Sequence, residues 1–156
     1  MRPSDALPSQ DGTSGAPADA GADAGAADAA PCLGGDSRTV HPQSGTCYMF
    51  FAAAATWPSA KAACQNMIPA AHMVTIADAD EALRVSGPAA GAEPWIGLND
   101  VLVEGTYGWV SGEPVAFTDW GADEPNNTGD CIRLKDGRWA DMECYLTRPY
   151  ICERMR

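Results

Sequence analysis

The chain has 156 residues and a formal net charge of −11, of which residues 1–30 carry −4 and the remainder −7. Acidity in both parts argues against a nucleic-acid or anionic-membrane partner. No window approaches the roughly 20 apolar residues of a membrane helix, and no Lys/Arg-led apolar run has the form of a signal peptide.

The N-terminal stretch "GAPADAGADAGAADAAP" contains no large apolar side chain. Such a segment cannot bury enough surface to offset the entropy of ordering it. Residues 1–31 are therefore expected to be a flexible, acidic linker or tether, with a globular domain over 32–156.

Six cysteines stand at 32, 47, 64, 131, 144 and 152, with no CxxC pair, and only His41 and His72 are available as imidazoles. That excludes a zinc ribbon and weakens any metal-hydrolase reading. Three disulfides in an oxidising compartment are expected, hence a secreted or extracytoplasmic protein. Spacing alone does not select a pairing among six cysteines.

In chain order, "TCYMFF" (46–51) reads as a strand. "TWPSAKAACQNM" (56–67) reads as a helix, with Thr56 as cap and Pro58 in the first turn, where a missing N–H costs little. Trp57, Ala60, Cys64 and Met67 fall on one face, which predicts that Cys64 points into the core. "HMVTI" (72–76) is a short strand. "DADEALRV" (78–85) is a second helix, with Asp78 and Glu81 spaced as a capping box. "EPWIGL" (93–98), "YGWV" (107–110), "CIRL" (131–134), "RWAD" (138–141) and "YICE" (150–153) read as short strands. "KDGR" (135–138) carries the Asp-Gly of a hairpin turn. Helices first and short strands after predict an α+β fold with antiparallel sheets. Residues 99–130 are long and turn-rich, which in a compact domain points to a functional loop.

The ordered series "CY" (47–48), the Trp57–Cys64 helix, "WIGL" (95–98), Trp109, Trp120, "EPN" (124–126), Cys131, "WAD" (139–141), Cys144 and "YICE" (150–153) resembles the C-type lectin-like domain in its long form. The match covers about residues 32–153. The resemblance implies a C-type lectin-like fold: two helices, antiparallel sheets, a long loop region and three disulfides. It also implies the pairing Cys32–Cys47, Cys64–Cys152 and Cys131–Cys144. All six cysteines are then structural, and none is left for catalysis.

"WIGL" is expected to be core: Trp95, Ile96 and Leu98 pack, and Gly97 lets another backbone come close. Trp57, Trp109, Trp120 and Trp139 carry the same reading. His72 is read as a structural or surface residue.

"EPN" carries the functional reading. In family members that bind sugars, the Glu and Asn oxygens coordinate Ca²⁺ across a cis proline, and EPN goes with mannose-type sugars. The chemistry suits a hard cation that takes six to eight oxygens, some of them from vicinal sugar hydroxyls. The resemblance therefore implies a carbohydrate-binding module with Glu124, Asn126 and Asp141 as sugar and calcium ligands. Asp130 is a further metal candidate, and a glycan or cell-surface glycoconjugate is the partner.

Two departures weaken the set. Ala140 stands where the family's lectins have Asn, and Gly129 stands where they have Glu, in a loop two or three residues shorter. The alternative is a calcium-independent protein-interaction module on the same fold. Asn126-Asn127-Thr128 also fits the N-glycosylation pattern, and a glycan on Asn126 would destroy the proposed site. A glycosidase pair drawn from Asp119, Asp123 and Glu124 lacks an apolar setting for either carboxyl, so no enzymatic activity is expected.

Overall fold

The expected first helix forms over Trp57–Gln65 as α1, in a computed structural model that describes residues 31–155. The Thr56 hydroxyl accepts from Ser59 N, and Pro58 occupies the first turn. Trp57, Ala60 and Cys64 are buried on one face; Met67, beyond the helix end, is only partly covered. The second helix, α2, runs over Ala79–Ser86. Asp78 caps it by accepting from Glu81 N at 2.9 Å. Glu81 reaches back to Ala77 N (2.8 Å), one residue before the position a capping box would use, and also accepts from the Tyr48 hydroxyl (2.5 Å). Thus α2 is tied both to its own lead-in and to the sheet.

Eight strands form one sheet. They are β1 (Ser37–Val40), β2 (Cys47–Ala55), β3 (His72–Met73), β4 (Trp95–Asn99), β5 (Gly108–Trp109), β6 (Cys131–Lys135), β7 (Arg138–Met142) and β8 (Arg148–Arg154). The order is β1-β2-β8-β4-β6-β7, with β3 paired to β8 and β5 to β4. Every named pair is antiparallel except β4 with β8, which meet in parallel at Trp95 and Tyr150. The long loop and the β6–β7 hairpin lie between those two strands in sequence. That is ample chain for the crossover a parallel pair needs.

Several strands differ from the sequence reading: β3 stops at Met73 instead of Ile76, and β5 keeps only Gly108–Trp109 of 107–110. β1 has few apolar residues and sits at the sheet edge, so it lacks the signal of a buried strand. β2 runs on through Ala52–Ala55, where alanine has little intrinsic strand preference. Its pairing with β1 and β8, irregular between Phe51 and Ala55, makes it a strand. The Asp136–Gly137 turn has positive φ at both residues (52° and 78°), as a tight hairpin requires.

The core has two lobes. Tyr48, Val74, Ile76, Val85, Ile96, Leu98, Trp109, Ile132, Leu134, Trp139 and Ile151 fill one. Met49, Trp57, Cys64, Met73, Trp95, Cys131 and Cys152 fill the other. "WIGL" is fully buried, and the two indoles beside it are satisfied: Trp57 Nε1 donates to Ile96 O and Trp95 Nε1 to Ala55 O, each at 2.9 Å. Gly97 is required by contact, because a Cβ there would lie 2.8 Å from Met73 O and 3.0 Å from Val74 O. The three disulfides are Cys32–Cys47, Cys64–Cys152 and Cys131–Cys144, with Cα separations of 5.4, 5.5 and 5.1 Å. This is the pairing the resemblance implies. The expected linker over 1–31 lies, apart from Pro31, outside the described residues.

Glu153 is the one acid buried between β8 and the β3 segment. It is 3% exposed, and burial pushes its carboxyl up to about 8, although Thr75 N (3.1 Å) and Oγ1 (2.5 Å) donate to Oε1 and pull the other way. A folded-state value raised above the unfolded one contributes stability that is complete below the ordinary Glu range. That contribution is lost as pH rises through about 8. Wild-type melting temperature, measured in chelator-containing buffer, is therefore expected to fall between pH 5 and pH 9. Glu153→Gln keeps the acceptor for Thr75 and carries no titrating proton. It should remove that fall and exceed wild type by several degrees at pH 9. Parallel pH profiles of the two proteins would contradict this assignment.

Candidate functional site

The long loop between β5 and β6 has little regular structure, so side chain to backbone hydrogen bonds organise it. The central one is Asp141, on β7 and 3% exposed. Its Oδ1 accepts from Asn126 N (2.9 Å), and its Oδ2 accepts from Thr128 N (2.6 Å) and Gly129 N (3.3 Å). One carboxylate thus gathers three loop amides, at 126, 128 and 129, that strand pairing does not use. Asn126 Oδ1 accepts from Thr128 N at 3.0 Å, closing the turn within the loop. Asp123 and Asn127 have positive φ (62° and 58°), which Asp and Asn tolerate better than most residues.

Glu124 precedes Pro125 through a cis peptide bond, as the resemblance implies. Its carboxyl lies beside that of Asp141, and its Oε2 is buried without a donor among the described residues. Burial first, and then this contact with Asp141, pushes the Glu124 carboxyl above the usual range. Burial alone would raise Asp141 too. The neighbouring Glu124 carboxyl and the three backbone N–H groups outweigh it and hold Asp141 low. The two carboxyls are thus pushed in opposite directions.

The structure brings Glu124, Asn126 and Asp141 together. It does not join Asp130 to them: its carboxylate makes no hydrogen bond or ion pair among the described residues, and its backbone carbonyl accepts from Asp100 N (3.0 Å). No group of three His, Cys, Asp or Glu side chains among the described residues is arranged to hold a metal. Ala140 is buried and offers no side-chain oxygen. It borders a cavity of about 250 Å³, lined also by Gly121, Ala122, Glu124, Lys135 and Arg138 among others.

Gly129 is closed to any side chain in this loop conformation. An added Cβ would lie 2.2 Å from Glu143 N and from Met142 C. Position 129 thus lies directly against the backbone at the end of β7.

Asp100 is a residue that sequence reasoning missed. It is 3% exposed; its Oδ2 accepts from Gly105 N (2.8 Å), and its Oδ1 is buried without a donor among the described residues. Burial, then the Asp100 charge, pushes the Tyr107 hydroxyl up to about 12. An acid straight after a fully buried strand was the available signal.

Comparison with known proteins adds the family context. The family model for the lectin C-type domain matches residues 53–154. The chain is 36% identical over 117 residues to the human protein "C-type lectin domain family 17, member A", covering 72% of this chain but only 30% of that relative. The carbohydrate-recognition domain of cow CD23, solved in the presence of a GlcNAc2Man3 oligosaccharide, superposes with a TM-score of 0.71 at 27% identity, covering 80% of this chain and 97% of that one. A calcium-independent type II antifreeze protein superposes with a TM-score of 0.70 at 28% identity, covering 79% and 95%.

Gly129→Ala is expected to cost about 3 kcal/mol or more in urea unfolding, because the clash is with backbone rather than a yielding side chain. Gly108→Ala, where a Cβ meets nothing within 4 Å, should stay within about 0.5 kcal/mol of wild type. Equal stabilities for the two variants would mean that the loop moves off β7 freely.

Proposed function

The chain belongs to the lectin C-type domain family, a family of carbohydrate-binding domains, and we propose that it binds a mannose-type glycan through a weak calcium site on the 124–141 loop region. The observation that carries this reading is the pairing of Glu124 with Asp141. The two carboxyls are neighbours, Glu124 pushed up and Asp141 held low, Glu124 Oε2 is buried with no donor among the described residues, and Asn126 directly follows the cis proline. An orphaned buried oxygen next to an ionised carboxylate is a favourable place for a hard cation.

The donor set fits calcium in kind and falls short in number. Glu124, Asn126 and Asp141 would hold the ion through carboxylate, amide and backbone oxygens. Ala140 adds none, and position 129 cannot contribute one. Bound calcium supplies a cation that takes two adjacent sugar hydroxyls as ligands. With so few protein oxygens, these hydroxyls are needed to approach six-fold coordination. Calcium and sugar should therefore bind better together than either alone. Three disulfides accord with an oxidising, extracellular setting. No helix among the described residues is long and apolar enough to cross a membrane.

A second reading is favoured by one observation. The three loop amides already occupy both oxygens of Asp141 as hydrogen-bond acceptors, a structural role that calls for no cation. On that reading the domain is a calcium-independent protein-interaction module.

Calorimetry separates the two. Wild type should bind calcium only in the millimolar range and more tightly when methyl α-mannoside is present. Ala140→Asn restores a side-chain oxygen at the cavity's edge, and should tighten both ligands by about tenfold, the worth of one charge-assisted contact. Glu124→Ala should abolish both. If wild type gives no heat with millimolar calcium and Ala140→Asn does not rescue it, the lectin reading falls and the protein-interaction reading takes its place.

A further inference from the structure

A second cavity, of about 250 Å³, shares no lining residue with the 124–141 loop, and Asp78, Glu81, Glu113 and Glu153 all stand in its wall. No Lys or Arg forms an ion pair with any of these four carboxyls among the described residues. The nearby imidazoles are engaged elsewhere. His41 Nδ1 accepts from Gln43 N (3.3 Å) and Ser44 N (3.2 Å), with Nε2 turned to Asp80 (3.7 Å). His72 Nδ1 lies 3.4 Å from Glu153 Oε1. Acids gathered in one recess without a counterion repel one another. Tyr48, in the same wall, registers this: burial first, then Glu81, Glu153 and Asp78, push its hydroxyl up.

Glu153 gives the recess a direction. It is 3% exposed, and Thr75 directs both of its donors, N and Oγ1, to Oε1. Oε2 makes no hydrogen bond among the described residues, and Glu153 lines the cavity. A deeply buried carboxyl oxygen is therefore left to the cavity without a donor. Alongside lies another cavity of about 210 Å³, walled by Ile76, Trp109 and Pro114. The two share Thr75, Ala77 and Glu113, so an acid-lined recess adjoins an apolar one.

We infer that these adjoining cavities bind a primary alkylammonium ion, its charged head among Glu153, Glu113 and Glu81 and its hydrocarbon stem along Ile76, Trp109 and Pro114. An ammonium head has three donors and no acceptor, which suits a wall of carboxyls. A metal ion suits it less, because no three His, Cys, Asp or Glu side chains among the described residues are arranged to hold one. Each cavity is smaller than the roughly 300 Å³ at which pockets for drug-sized ligands begin, so the occupant is slim. On binding, the proton that burial keeps on Glu153 leaves to solvent, and the carboxylate becomes the counter-charge of the ligand. A free amine and a lysine side chain on a partner protein present the same group.

Calorimetry at pH 7.5, in amine-free phosphate buffer with chelator, tests this. Wild type should bind hexylammonium at least tenfold more tightly than methylammonium, because burying even two methylenes is worth about that factor. The uncharged 1-hexanol should not bind. Glu113 is exposed, so Glu113→Gln should leave the melting temperature unchanged while weakening hexylammonium at least tenfold, the worth of one charge-assisted contact. Glu104→Gln removes the same charge from an exposed position outside both cavities and should leave the affinity unchanged. If Nα-acetyl-lysine methylamide binds as tightly as hexylammonium, the inference stands with a lysine side chain as the occupant. If hexylammonium alone binds, it stands with a free amine. Absent hexylammonium binding overturns the inference, as do equal affinities for hexylammonium and methylammonium or for hexylammonium and 1-hexanol. Equal weakening by Glu113→Gln and Glu104→Gln also overturns it, by reporting only the overall negative charge. Calcium that displaces hexylammonium at equal concentration makes the recess a metal site and overturns it too.

Discussion

Strand β8 is the element on which the rest of the domain is assembled. It pairs with β2, β3 and β4, and it carries Cys152, which is bonded to Cys64 on the first helix. The last strand of the domain therefore closes it onto its beginning. The cost is entropic: residues far apart in sequence must meet before these contacts form. The Cys64–Cys152 bond, whose ends are 88 positions apart in sequence, offsets part of that cost by restricting the unfolded chain. The buried Glu153, next to Cys152, is tolerated because the Thr75 hydroxyl and amide meet it and because it holds its proton over most of the neutral range.

The loop region solves a different problem. Between β5 and β6 there is too little strand pairing to satisfy the backbone. Unpaired buried amides are expensive, so another acceptor must be found. Asp141 is that acceptor, and it is delivered by a strand that is itself well anchored through Trp139 and the Cys131–Cys144 bond. The same carboxylate lies beside Glu124 and is held low. On the proposed calcium reading, structural and binding roles compete for one side chain. A cation would have to share Asp141 with the loop amides, and this is the physical reason to expect weak affinity.

Glycine at 129 means more than the loss of one ligand. Position 129 is pressed against the backbone of Met142 and Glu143, so the ligand cannot be regained there by substitution alone. Position 140 is different, because it borders open space. The two departures from the family pattern therefore differ in kind: one is a missing side chain beside a cavity, the other a position closed to any side chain.

The sequence by itself determined the fold, because that information is local or ordered. Thr56 and Asp78 cap the helices as read, Trp57, Ala60 and Cys64 share a buried face, "WIGL" is core, and Asp136–Gly137 turns the hairpin. It also pointed to Glu124, Asn126 and Asp141 as a set, through motifs of known order. It did not reveal the polyalanine end of β2, whose strand character comes from its partners, or β1, which is polar and at an edge. It did not reveal the parallel β4–β8 contact, which depends on the path of the crossover. Nor did it show that Asp141 already serves three amides, that Gly129 has no room, that Glu124 Oε2 is orphaned, or that Asp100 N bonds to Asp130 O. Each of these is a relation between segments distant in sequence. Only the folded chain brings the groups within hydrogen-bonding or van der Waals range, and interactions of that range are decided by tertiary packing.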